Sequence, residues 1–224
     1  MAPDGDSAER LQGELAELRA RLRAREELLS RALLEKGEML LQQMEESRTR
    51  EHRARELSRS DPVTGLLRHG AFRERLIFEV ERSRRTEQPL GLLVLDLDRF
   101  GEVTRERGYR EAERLLGSVG RALEGPWLAR EGPRPPVLAR DGADSFAVLL
   151  PAADRAEVAD RAEDLRSLVE RLPLPGGVRL TCSTGVVAAA PGAADASEIY
   201  GRACALVAKA RGQGGNRIEL ESLG

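Results

Sequence analysis

Two groups of oxygen-bearing side chains stand where this chain could hold a cation or a phosphate. One is the small acidic turn Gly142-Ala143-Asp144-Ser145, set between apolar segments; the other is Asp96 and Asp98, at the end of the apolar run that begins at Leu90. Carboxylates are the hard oxygen donors that Mg²⁺ takes, and a cation held this way can neutralise a phosphate. Each group also has a plainer reading. Carboxylates at strand ends commonly just solvate a loop, and aspartate is favoured in tight turns because its side chain bonds nearby backbone. The other reactive residues are scattered. His52 and His69 have no companions at metal-ligand spacing, and Cys182 and Cys204 lack the short spacing of a metal knuckle or redox pair. The thiols read as buried groups in a reducing cytosol. Trp127 reads as a packing anchor or a partner contact, and Lys209 as an exposed helix lysine.

Alternating helices and strands must position these groups. Phe72 to about Arg85 reads as a helix, and Leu90 to Asp96 is a continuous apolar run suited to a central strand. Tyr109 to about Leu123 is a second helix, with Leu115, Leu116, Val119 and Leu123 toward a core. Residues 125–136, with four prolines, must be an irregular connection. Val137 to Asp141 and Phe146 to Leu150 form a hairpin around the acidic turn. A helix from Asp154 to about Leu172 follows, then a strand over Val178 to Ala188. Ser197 is the expected N-cap of a helix running to about Arg211, and Asn216 to Leu220 is a closing strand. Strands that alternate with helices, yet are joined once by a tight hairpin, cannot all be parallel. The expected class is α+β, a mixed sheet flanked by helices.

Ahead of this domain, residues 1–58 read as one long coiled-coil helix. Ser7 to about Leu57 contains no proline, and Leu11, Leu15, Leu18 and Leu22 alternate in steps of four and three, which places them on one stripe. Arg25 interrupts the seam, and Leu29, Leu33, Leu40 and Met44 resume it with a four-residue step that resembles a stutter. The rod would be roughly 70 Å long at 1.5 Å per residue. Its leucine stripe needs a partner helix, so a homodimer is expected, with folding back on its own domain or docking on another protein as the alternative. Ser60-Asp61-Pro62 ends the rod, and residues 59–224 form the second domain. A net charge of -2 builds no field for nucleic acid. No run of about 18 apolar residues is present to span a membrane, and the acidic N-terminus is unlike a secretory signal. A cytoplasmic location is expected.

Several motifs, in order and spacing, resemble the GGDEF family of diguanylate cyclases across about Asp61 to Leu220. They are Asp61-Pro-Val-Thr-Gly-Leu66, Leu95-Asp-Leu-Asp-Arg-Phe100, the acidic turn itself, Ala208-Lys209 and Gly215-Asn-Arg-Ile218. The resemblance implies a polymerase-palm-like α+β fold. It also implies, for active members, condensation of two GTP into cyclic di-GMP by a dimer, each half-site holding one GTP and Mg²⁺. On that pattern Asp96 and the Leu97 carbonyl are metal positions, and Asp144 is the catalytic position of the signature.

The departures from the pattern decide the expected function. Ser145 stands at the metal-binding glutamate, and a neutral hydroxyl does not replace a carboxylate beside a dication. Ala143 replaces the second signature glycine, where a two-residue turn often needs positive φ and where the nucleotide would lie against bare backbone. Thr104 and Glu113 stand at the guanine-reading asparagine and aspartate, and Gly101 stands where a lysine is usual. Lys209 keeps a phosphate-binding position. The product-binding RxxD motif is missing; Pro133-Arg-Pro-Pro136 stands there with Arg134 out of phase. The expectation is a degenerate, catalytically inactive domain. Gly142, Ala143, Thr104, Glu113 and Lys209 are its vestigial nucleotide positions, and Asp96 and Leu97 its vestigial metal positions. No cofactor is expected, with Mg²⁺ only if activity persists. Its partners would be a second copy and another protein; the alternatives are a weak GTP or cyclic di-GMP sensor and an active cyclase.

Overall fold

In the computed structural model, described residues are 59–125 and 134–224, and within 21–45 all but 24, 26–28, 30, 32 and 35. Trp127, His52 and the leucines before residue 21 lie outside them. The chain divides into two units, 1–57 and 58–224. In the first, every described residue between 21 and 45 is helical, and Leu22, Leu29, Leu33, Leu40 and Met44 are each more than half exposed.

The second unit is built on one six-stranded mixed sheet. Its strands are β1 (Leu67–Arg68), β2 (Leu90–Leu97), β3 (Val137–Arg140), β4 (Ser145–Pro151), β5 (Cys182–Ala189) and β6 (Ile218–Leu223), in the spatial order β1-β3-β4-β2-β5-β6. β2 is antiparallel to both β4 and β5, whereas the outer pairs β1–β3 and β5–β6 are parallel. The helices are α1 (His69–Thr86), α2 (Phe100–Arg107), α3 (Tyr109–Glu124), α4 (Arg155–Arg171) and α5 (Ala196–Gly212).

Side-chain alternation splits the core in two. Leu93, Leu95 and Leu97 of β2 face a cluster shared with Leu115, Val119 and Leu165, from α3 and α4. Leu92 and Val94 face the opposite cluster, with Phe72, Leu76, Ile199 and Ala203 from α1 and α5. A strand buried on both faces has no polar alternation, which is why β2 reads as a continuous apolar run. Asp96, two residues beyond Val94, falls on the α1/α5 face.

Several boundaries differ from the sequence expectation. α2 was not anticipated, because its segment is mostly charged and buries only Phe100; Gly108, with φ +83°, turns the chain into α3. β5 begins at Cys182 rather than Val178. Pro175–Gly177 makes a single 3₁₀ turn, and Val178 and Leu180 are buried before strand pairing starts. The N-cap of α5 is Asp195, not Ser197: its carboxylate accepts from the Glu198 amide at 2.8 Å. β6 runs over 218–223 rather than 216–220, since pairing with β5 starts at Thr184↔Ile218. Cys204 is only half-buried, unlike Cys182.

Close approach of α5 to the sheet is set by Gly185. A Cβ there would meet the Ala203 carbonyl oxygen at 2.0 Å and the Val207 amide nitrogen at 2.7 Å. Both obstacles are backbone, so they cannot swing aside. Gly185→Ala is expected to cost at least about 1–3 kcal/mol, the usual range for overpacking. Urea denaturation checks this, and a midpoint equal to that of the wild type would show that the helix can retreat at no cost.

Candidate functional site

The site lies at the end of the sheet where β2 stops. Strand register places Asp96 directly across from Ser145 on β4 and from Ser183 on β5. Residues paired across neighbouring strands point to the same face, so the Asp96 carboxylate sits in a row between two hydroxyl-bearing residues. Over that row comes the C-terminal end of α5, whose Arg211 Nη1 lies 3.1 Å from Asp96 Oδ1. The approach is not aligned as a hydrogen bond, and among the described residues Oδ1 has no hydrogen-bond donor, so the contact is ionic only. Burial and then the neighbouring Asp144 push the Asp96 carboxyl up to about 6; Arg211 pulls it down, and Asp98 adds to the rise.

Asp98, two residues on, has a different fate. Its carboxylate accepts from the Thr181 hydroxyl (2.6 Å), the Ser183 hydroxyl (2.7 Å) and the Asn216 amide (2.8 Å). It clamps the end of β2 to β5 and to the turn before β6. Gly215 is required beside it: φ is +76°, and a Cβ would come within 2.9 Å of the carboxylate.

The acidic turn is held from both sides. Arg140 donates from Nε to the Gly142 carbonyl (3.1 Å) and from Nη2 to the Ala143 carbonyl (2.8 Å), while its Nη1 lies 3.3 Å from both carboxylate oxygens of Asp61. Asp61 also accepts from the Thr64 amide and hydroxyl, each at 2.9 Å. Burial works against its charge, but the bonds from Thr64 and Arg140 outweigh it and hold the carboxyl below its usual range. On the other side Asp141 is bonded to His69 Nδ1 (2.7 Å) and accepts from the Tyr200 hydroxyl (2.5 Å). Gly142 and Ala143 are exposed, and neither has positive φ. That corrects the expectation that Ala143 strains the turn: the loop is longer than two residues, so its backbone accepts a methyl group.

Of the sequence-derived positions, the structure brings Asp96, Asp144 and Ser145 together. Asp144 accepts the Leu97 amide through its carbonyl oxygen at 3.1 Å, and among the described residues nothing bonds its carboxylate. The reading of Asp144 as a residue bonding its own turn therefore finds no such bond. Thr104 donates its hydroxyl to the Phe100 carbonyl inside α2. Glu113 lines an open groove of about 530 Å³ with Val63, Arg110 and Arg114. Lys209 is drawn away to Glu219 on β6, at 2.5 Å. Arg134 pairs with the buried Glu79 of α1.

Arg211 is the residue that sequence reading missed, and helix phase was the signal. Lys209 and Arg211 are about 200° apart on a helix. Ala203 and Val207 are on the buried face, and Arg211 continues their four-residue step toward the sheet. As a Mg²⁺ site the donor set fits poorly. It offers two carboxylates, Asp96 and Asp144, of which the first already faces a guanidinium, with neutral Ser145 beside them, and among the described residues no three His, Cys, Asp or Glu side chains group to hold a metal.

The raised Asp96 carboxyl makes stability depend on pH. The folded state favours the protonated form, so its contribution is complete below the unfolded value of 3.8 and is lost as pH rises through about 6. Asp96→Asn should therefore raise the melting temperature at pH 7.5 and lose that advantage near pH 4. A lower melting temperature at pH 7.5 would show that the pair with Arg211 is net stabilising.

The family model described as "Diguanylate cyclase, GGDEF domain" matches residues 58–217. Diguanylate cyclase DgcP of Pseudomonas aeruginosa is 29% identical over 169 residues, covering 74% of this chain; the chain spans only 24% of that relative. Among solved structures, diguanylate cyclase SiaD in complex with its activator SiaC, from Pseudomonas aeruginosa, gives a TM-score of 0.67 at 27% identity, over 96% of this chain and 82% of that one. The coiled coil and GGDEF domain of DgcB from Caulobacter crescentus gives 0.65 at 23% identity, over 83% and 98%, a likeness of fold. With its sheet, its acidic hairpin and its match over 58–217, this chain belongs to the GGDEF family.

Proposed function

We propose that this chain is a GGDEF signalling protein whose nucleotide-joining site is disabled, and that it acts through protein contacts in a bacterial cyclic di-GMP-related or localisation pathway. One observation carries the reading: Asp96 is flanked in register by Ser145 and Ser183 and is faced by Arg211. Joining two nucleotides requires a cation strong enough to neutralise a triphosphate, and that cation needs converging carboxylates. Here Ser145 puts a hydroxyl beside the carboxylates, and a fixed cation stands against Asp96. Losing one preorganised electrostatic group commonly costs several kcal/mol at a transition state.

The same reading assigns residues 1–58 to a pairing helix and 59–224 to the degenerate domain, in the cytoplasm. More than half-exposed Leu22, Leu29, Leu33 and Leu40 support pairing with a second copy, because a helix gains most of its stability from packing an apolar stripe. The similar SiaD, crystallised with an activator protein, supports a protein partner. Nucleic acid and membrane are not among the partners, and no cofactor takes part; Mg²⁺ enters only if the site is active. A second reading, a weak GTP or cyclic di-GMP sensor, draws on the open groove beside Glu113.

Incubation of the chain with GTP and Mg²⁺ is expected to give no cyclic di-GMP above trace; steady production would reverse the proposal. Thermal shift separates the sensor reading. A ligand at a hundred times its dissociation constant adds about 2.7 kcal/mol of stability, and the proposed reading expects no shift with GTP or cyclic di-GMP.

A further inference from the structure

The sheet ends on two unlike edges. β1, at one edge, is two residues long, whereas β6, at the other, runs six residues and pairs with β5 without a bulge from Ile218 to Leu223. An edge strand is a template for further pairing, and proteins commonly blunt it with shortness, a lysine, a proline or a bulge. β1 is blunted by its length. β6 has none of these devices.

The register shows which backbone groups are free. The Thr184 amide donates to the Arg217 carbonyl at 2.9 Å and the Ala190 amide to the Leu223 carbonyl at 2.7 Å, so odd-numbered residues turn their polar groups toward β5. Successive residues of a strand alternate in this direction. The N–H and C=O groups of Ile218, Leu220 and Ser222 therefore point out of the sheet, and among the described residues no hydrogen bond reaches them. The side chains of Ile218 and Leu220 are half-buried on the α3/α4 face. On the other face Glu219 pairs with Lys209 and Glu221 with Arg202, both from α5.

Charge decides what can add to this edge. A second copy pairing antiparallel along β6 bonds Ile218 to Ser222 and sets Glu219 opposite Glu221, twice by symmetry. A slip of two residues brings Arg217 against Glu221 but leaves Glu219 facing its own copy. Like charges directly opposite destabilise a strand pair. A strand with basic residues on that face and apolar ones on the other has no such conflict: it answers the two glutamates and extends the cover over Ile218 and Leu220.

We propose that β6 is a docking edge, to which an extended segment of a partner protein, its apolar residues alternating with basic ones, adds as a seventh strand. In strand addition the main-chain hydrogen bonds give affinity and the alternate side chains give specificity. The edge requires nothing of the nucleotide site, so it serves whether or not that site is disabled.

The test uses the full chain and three short capped peptides: one alternating valine with lysine, one alternating valine with glutamate, and the first again with its backbone amides N-methylated. The valine–lysine peptide is expected to slow amide exchange at residues 218, 220 and 222, read by NMR. The other two should each bind at least about tenfold more weakly, the factor that about 1.4 kcal/mol represents. Ser222→Pro removes one outward N–H and leaves the β5 ladder intact, since proline is tolerated on an edge strand whose N–H faces solvent. It should weaken the valine–lysine peptide likewise with little change in melting temperature; if that variant does not fold, the peptide series decides alone. No slowing at the three amides, equal binding by the N-methylated or the glutamate peptide, or undiminished binding to folded Ser222→Pro would overturn the proposal. So would slowing that grows with protein concentration in the absence of peptide, which would assign the edge to a second copy.

Discussion

Everything at the site depends on the pairing of β2 between β4 and β5. That register is fixed because β2 is buried on both faces: a slip of one residue would exchange the side chains facing α1 and α5 with those facing α3 and α4. Leu92 and Val94 would then have to fit where Leu93 and Leu95 now fit. The cost of that exchange holds Asp96 between Ser145 and Ser183 and under the end of α5. The site's geometry is thus a consequence of core packing some distance away from it.

Within that frame, the acidic residues have divergent fates. Asp98 is consumed by three hydrogen bonds and closes the end of the sheet. Asp61 is held charged by Thr64 and Arg140, and through Arg140 it is tied to the carbonyls of the acidic turn. Of the three, Asp96 alone is buried with too little compensation, and its carboxyl is pushed up accordingly. Hydrogen-bonded carboxylates serve as structure, whereas the under-compensated one marks where an external charge could act. Arg211 supplies part of that charge from inside the chain.

The sheet and most of its elements were legible in the sequence because burial leaves a periodic trace. β2, the hairpin and α4 follow from apolar runs and helical spacing alone. α2 left no such trace, since it buries only Phe100 and is otherwise charged. The start of α5 was misplaced because both Asp195 and Ser197 are capping types, and only the amide geometry decides between them. At the site, Asp96, Asp144 and Ser145 were legible through the motif. The bonds of Asp98 were not, because its partners Thr181, Ser183 and Asn216 come from distant parts of the chain. Arg211 belongs to no motif, and only the phase of α5, two residues on from Lys209, turns it toward Asp96.

Two features of the site that look independent, Ser145 and Arg211, are physically coupled. With a glutamate at position 145, three carboxylates, at 96, 144 and 145, would converge on one small volume. Arg211, half exposed and poorly aligned, could offset only part of that repulsion, and a dication would be the natural remedy. With serine there, the charge falls to that of Asp96 and Asp144, and one guanidinium answers half of it without any metal. Serine at 145 and arginine over Asp96 therefore favour each other: the hydroxyl lowers the demand for positive charge to a level that a side chain can meet. On the proposed reading, the site has not simply lost a ligand. It has reached a different charge balance, in which an added cation would have to displace Arg211 from Asp96 and would gain Asp144 but no third carboxylate.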